Sequence, residues 1–111
     1  MKLINTSRKT IIAKDLKIAK STADRMLGLL KRSNPRNLMF ETRFGVHTFF
    51  LKVPIDVVVM STSHKVVKIC EDLSPNRIFI YGNMSPYVVE LARGSIKKSK
   101  TKIGDKLKLV D

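Results

Sequence analysis

A single acid, Asp56, interrupts an otherwise apolar and β-branched run, Ile55–Met60, and this placement constrains the fold more than any other feature of the chain. Asp is depleted from strands, and a buried carboxylate costs free energy unless it is paired or hydrogen-bonded. Asp56 therefore requires a partner, a water-filled cleft or a chemical role. Pro54 stands at the start of the run, where a missing N–H is tolerated. His47, Phe49 and Phe50 lie just upstream.

The remaining pattern is one of short β-type runs separated by turn residues. Lys2–Ile4 and Thr10–Ile18 read as opening strands joined by the polar turn Asn5–Arg8. Asn37–Thr42, Val46–Leu51, Lys65–Glu71, Arg77–Tyr81 and Lys106–Val110 read as further strands around the Asp56 run. Ala23, Met26, Leu27 and Leu30 recur at helical spacing behind a Ser21 or Thr22 cap, and Ser33-Asn34-Pro35 stops that helix. Ser85-Pro86 reads as a second helix start, so Tyr87–Arg93 is expected as a brief helix that Gly94 ends. No regular strand–helix–strand rhythm emerges. The expected class is mostly β (α+β): a compact, barrel-like antiparallel sheet with two short helices, in a single domain over residues 1–111.

Charge is the louder compositional signal. Twenty-two Lys and Arg against nine Asp and Glu give a net charge of +13, which attracts polyanions such as nucleic acid. Lys97, Lys98, Lys100 and Lys102 gather near the C-terminus with Lys106 and Lys108, relieved only by Asp105. They are candidate polyanion-binding residues. A second basic group runs from Lys14 to Arg36. Aromatics are not interleaved with either group, as a stacking platform for single strands would require, so a merely solvated basic face stands beside nucleic-acid binding.

Other classes find little support. No apolar run is longer than Val57–Met60, far short of the ~20 residues of a membrane helix. Lys2 is not followed by a leader-type apolar stretch, so a cytoplasmic location without a membrane partner is expected. Cys70, the single cysteine, supports neither a disulfide framework nor a cysteine zinc site and reads as a small apolar residue near a strand end. Phosphate-cradling glycine loops, a nucleophile elbow and zinc-protease motifs are missing. His47 and His64 have no carboxylate spaced for a shared metal, so neither a metal nor another cofactor is expected. This pattern favours a binding role over an enzymatic one.

An ordered set of short elements remains. Arg25-Met-Leu-Gly-Leu-Leu-Lys-Arg32 comes first, followed by Asn37-Leu-Met-Phe40, His47-x-Phe-x-Leu51, Pro54-Ile-Asp-Val57 and Val66-Val-Lys-Ile69. Val88-Val-Glu-Leu91 with Gly94, and then Ile103-Gly-Asp105, complete the order. Together they resemble the domain-of-unknown-function 192 family from about Thr10 to Leu109. The resemblance implies a compact β-rich fold and no established reaction. The chain departs from the family pattern where Leu30 replaces Met, Phe50-Leu51 replaces Trp-Met and Val53 replaces Asn, changes that make the presumed cleft more aliphatic.

Two readings of Asp56 follow. Arg25, beside the apolar stripe of its helix, could take the carboxylate in a bidentate bond that pins helix to sheet. Alternatively, Asp56 orients His47 within a polar cleft, as a ligand donor or as the acid/base pair of a hydrolase or transferase. Glu90 is either a surface acid paired with a lysine or a third polar group of that cleft. The expected function is thus a small-ligand or peptide-binding module with His47, Asp56, Arg25 and Glu90 at its cleft. A basic nucleic-acid-associated accessory protein is the alternative. Gly104-Asp105 reads as a hairpin turn.

Overall fold

The run that carries Asp56 becomes an interior strand in the computed structural model, which describes residues 1–19, 37–41, 45–48, 51–80 and 86–111. In chain order the elements are β1 (Lys2–Asn5), β2 (Thr10–Ala13), β3 (Leu16–Ile18), β4 (Asn37–Glu41) and β5 (Gly45–His47). They continue with β6 (Ile55–Met60), β7 (Val66–Leu73), β8 (Ile78–Ile80), β9 (Tyr87–Ala92), the helix α1 (Ser95–Ser99) and β10 (Leu107–Val110). A five-stranded sheet has the order β3-β4-β9-β6-β7, a three-stranded sheet the order β10-β1-β2, and β5 and β8 form a ribbon. Among the described residues only β3–β4 pairs in parallel. The others are antiparallel, with Asp56 opposite Leu91 and Val57 opposite Glu90.

Strand periodicity sorts the side chains into two cores. Val58 and Met60 of β6 join Met39, Val89 and Leu91 in one, which also receives Leu3 and Ile12 from the three-stranded sheet and Ile96 from α1. Ile55, Val57 and Val59 face the other way, onto Phe40, Leu51 and Val88. Phe79 of the ribbon packs against this second core. All six residues of β6 are buried. Each of its apolar side chains contributes about 1.5–3 kcal/mol by leaving water, enough together to carry one well-bonded acid in the same strand. Gly45 is required where the ribbon closes, because an added Cβ would collide with the Phe79 carbonyl oxygen.

The mostly β class and the antiparallel majority hold. Among the described residues, however, the sheets stay open and do not close into a barrel, with β3, β7, β2 and β10 at their edges. Tyr87–Ala92 is a strand rather than the expected helix. Val88, Val89, Glu90 and Leu91 are all buried, on alternating faces between β4 and β6. Two-sided burial of β-branched residues outweighs the helix-start signal of Ser85-Pro86. Gly94 (φ +90°) accordingly opens a helix instead of ending one, and the basic segment after it winds into α1. The helix expected from Ser21 or Thr22 onward lies outside the described residues.

The chain ends are neighbours. β1 pairs with β10 over Lys2↔Val110 to Asn5↔Leu107, which brings the Asn5–Arg8 turn beside the segment that links α1 to β10.

Candidate functional site

Asp56 is 1% exposed and lies on the face of β6 that looks toward α1. Its Oδ1 accepts the Asp72 N–H at 2.9 Å, and its Oδ2 accepts the Ile96 N–H at 2.9 Å. The second bond caps an otherwise orphaned donor in the first turn of α1, where the helix dipole also favours a negative charge. The first holds Asp72 in a left-handed conformation (φ +56°) at the far end of β7. Both carboxylate oxygens thus serve backbone donors, joining β6 to β7 and to α1.

Of the other residues expected around Asp56, only the Glu90 side chain is among those described, and it is not gathered there. Glu90 is buried, but it lies opposite Val57 in the register and so faces the second core, on the other side of the sheet from Asp56. The His47 backbone belongs to the β5–β8 ribbon, opposite Ile78. Arg25 lies outside the described residues. Among the described residues no three His, Cys, Asp or Glu side chains group as metal ligands would.

A second polar centre forms where the chain ends meet. Asp105 is 5% exposed, and its Oδ2 accepts Asn5 Nδ2 at 2.9 Å, Arg8 Nε at 3.1 Å and Lys102 N at 2.9 Å. Burial by itself would raise the Asp105 pKa, but the bonds from Asn5, Arg8 and Lys102 override it and hold the carboxyl below its ordinary value. Asn5, fully buried, also donates to Thr101 Oγ1 at 3.1 Å and accepts the Arg8 N–H at 3.0 Å. Ser99 and Thr101 share a hydroxyl bond of 2.7 Å, and Thr10 donates to the Ser99 carbonyl at 2.7 Å. The network therefore fixes both the Asn5–Arg8 turn and the exit of α1.

A cleft of about 470 Å³ opens beside this network. Arg8, Lys97, Lys100 and Lys102 are among the residues that line it, together with the aliphatic Ile69 and Ile96, Glu71 and Thr101. The Arg8 side chain is 40% exposed; with Nε committed to Asp105, its Nη groups meet no acceptor among the described residues. Lys100 follows α1 in the left-handed conformation (φ +60°) of a Schellman-type ending, with Thr101 N bonded to Ile96 O at 3.1 Å and Lys100 N to Lys97 O at 3.2 Å. Glycine is the usual residue there, since a Cβ makes the conformation costly. Three of the four candidate polyanion-binding lysines thus share one cleft, while Lys98 is exposed outside it. Sequence reasoning missed Arg8, Asn5 and Thr101, and it read Asp105 only as a turn residue. The available signal was a pair of polar residues, Asn5 and Asp105, each next to a terminal apolar strand.

This architecture defines a small, mostly β protein in which a buried acid anchors α1 and the chain ends frame a cleft lined by basic residues. The chain belongs to the DUF192 family, "Uncharacterized ACR", whose model matches residues 3–109. UPF0127 protein PH1112 of Pyrococcus horikoshii is 32% identical over 112 residues, covering 96% of both chains. UPF0127 protein PYRAB11210 of Pyrococcus abyssi is 32% identical over 115 residues, covering 97% of both. The fold is also that of a solved protein of unknown function from Novosphingobium aromaticivorans, with a TM-score of 0.77 at 17% identity over 97% of this chain and 82% of that one. No helix among the described residues is long and apolar enough to cross a membrane.

Proposed function

We propose that this protein is a binding module for small anionic ligands, seated in the cleft framed by Arg8, Lys97, Lys100 and Lys102. The observation that carries this reading is convergence. One basic residue from the N-terminal turn and three from the C-terminal segment line one cleft of ligand size. Lys100 adds weight, because it keeps a cation on the cleft at a backbone position where glycine would cost less. The expectation of a ligand-binding module is kept, and its centre moves from Asp56 to the Arg8–Lys102 cleft, since the Asp56 oxygens already serve two backbone donors.

Nucleic-acid binding has its own support, as Lys98, Lys106 and Lys108 extend the exposed positive surface beyond the cleft. The two readings separate by salt and by stoichiometry. Isothermal titration with a panel of small anions should give one saturable site that is lost in the Lys97→Gln/Lys100→Gln/Lys102→Gln variant. An oligonucleotide binder would instead weaken steeply with salt, with a slope of roughly one per phosphate contact, and would also need Lys98, Lys106 and Lys108. If no small anion binds, the proposal is wrong.

A further inference from the structure

We infer that the ligand of this cleft is a phosphomonoester, taken at its phosphate by Arg8 and the three lysines, and that Asp105 acts as the positioning residue for Arg8. The inference rests on the anion-binding reading and assigns it a ligand class. Charge balance is the first argument. Arg8, Lys97, Lys100 and Lys102 are opposed at the cleft by Glu71 and, behind Arg8, by Asp105, which leaves two uncompensated positive charges. A phosphomonoester carries about 1.5 to 2 negative charges at neutral pH and matches that surplus, whereas a single carboxylate would neutralise only about half of it.

Geometry is the second argument. Asp105 holds Arg8 by Nε at 3.1 Å, so the guanidinium plane is fixed at one edge while the Nη groups are left for a ligand. A guanidinium fork anchored in this way suits the oxygens of a phosphate, and an ammonium on a free stem does not reproduce it. Asp105 is itself fixed by Asn5 Nδ2 and Lys102 N, so the anchor does not yield when an anion approaches. Ile69 and Ile96 offer aliphatic surface to the body of the ligand, and Glu71 offers an acceptor for its hydroxyl groups. A nucleic-acid strand would call for cations spread along a groove with aromatic faces for its bases. Here the four basic residues line a single cleft, and neither apolar residue of its lining is aromatic.

The test titrates the full chain with ribose 5-phosphate, ribose, citrate and a single-stranded oligonucleotide at fixed ionic strength, by calorimetry and by phosphorus NMR. Saturable one-to-one binding of ribose 5-phosphate, with ribose inert, supports the assignment. Citrate binding as tightly as ribose 5-phosphate overturns the phosphomonoester but leaves the anion-binding reading standing, whereas an oligonucleotide that binds more tightly, with a steep salt dependence, overturns both in favour of nucleic acid. No binding by any anion overturns both. For the positioning role, Arg8→Lys is expected to weaken ribose 5-phosphate about ten-fold with its charge intact, the order of one charge-assisted hydrogen bond. Asp105→Asn should weaken it comparably, and the double variant should bind no worse than either single one, since both remove the same held fork. Additive losses would show that Asp105 acts by another route and overturn its positioning role. If Asp105→Asn does not fold, Arg8→Lys still decides: unchanged affinity would overturn the fork.

Discussion

Two of the buried acids among the described residues, Asp56 and Asp105, are satisfied in different currencies. Among the described residues, Asp56 is held by main chain: its two oxygens accept the Asp72 and Ile96 N–H groups. Asp105 is open: its Oδ2 accepts one backbone donor, one buried amide and a guanidinium that is 40% exposed at the mouth of a cleft. A carboxylate whose partners among the described residues are main-chain donors ties elements together. A carboxylate bonded to a half-exposed arginine also decides where a positive charge stands on the surface. The acid that the sequence makes conspicuous therefore ties strands to helix, and the inconspicuous one holds an arginine at the edge of the cleft.

The largest test of this contrast is Asp56→Asn. An amide can accept from one of the two N–H groups but presents its own donors to the other, which leaves a buried backbone donor unsatisfied. The expected loss is about 2–4 kcal/mol in denaturant melts, with the affinity of the folded fraction for an anion unchanged. A folded variant with weakened anion binding would break the comparison. Asp105→Asn should cost less, about 1–3 kcal/mol, because Arg8 can turn to water, and it should change anion affinity as well. The pH dependence follows from the lowered pKa of Asp105. A carboxyl whose folded pKa lies below its unfolded value stabilises fully above the unfolded value, near pH 4, and that contribution fades as pH falls through the folded one. The melting difference between the parent and Asp105→Asn should accordingly be constant near neutrality and shrink below about pH 4. A difference that grows with acidification would contradict the bonding described. Lys97→Gln and Lys102→Gln come next: within about 0.5 kcal/mol of parental stability, each should weaken anion binding several-fold in titration calorimetry.

The contrast also explains what the sequence reveals. The strands are legible because alternation and β-branching are local, and β6 is expected with the bounds it has, Ile55–Met60. β9 is not, because its character depends on burial between β4 and β6, which no local pattern displays. Asp56 is legible as an acid in need of partners, but its partners are backbone N–H groups of Asp72 and Ile96, which every sequence possesses and none advertises. The Arg8–Asp105 pair joins residues 97 apart in the chain. It exists because β1 pairs with β10, and chain-end pairing cannot be seen in composition or spacing.

The smallest expected effect separates site from scaffold most cleanly. Lys100 ends α1 at φ +60°, where a side chain costs free energy that glycine avoids. Lys100→Gly should therefore gain about 0.5–1 kcal/mol once the greater flexibility of glycine in the unfolded chain is counted. The same change at Lys98, inside the helix, should lose about 0.5–1 kcal/mol, since glycine there only adds entropy to the unfolded chain. Anion affinity should move the opposite way. It should fall for Lys100→Gly, which removes a cation from the cleft, and hold for Lys98→Gly, whose cation stands outside it. A position where stability and binding pull apart is one where the chain retains a costly residue for its side chain. If Lys100→Gly gains stability without losing affinity, Lys100 is only an imperfect helix ending, and the cleft is left to Arg8, Lys97 and Lys102.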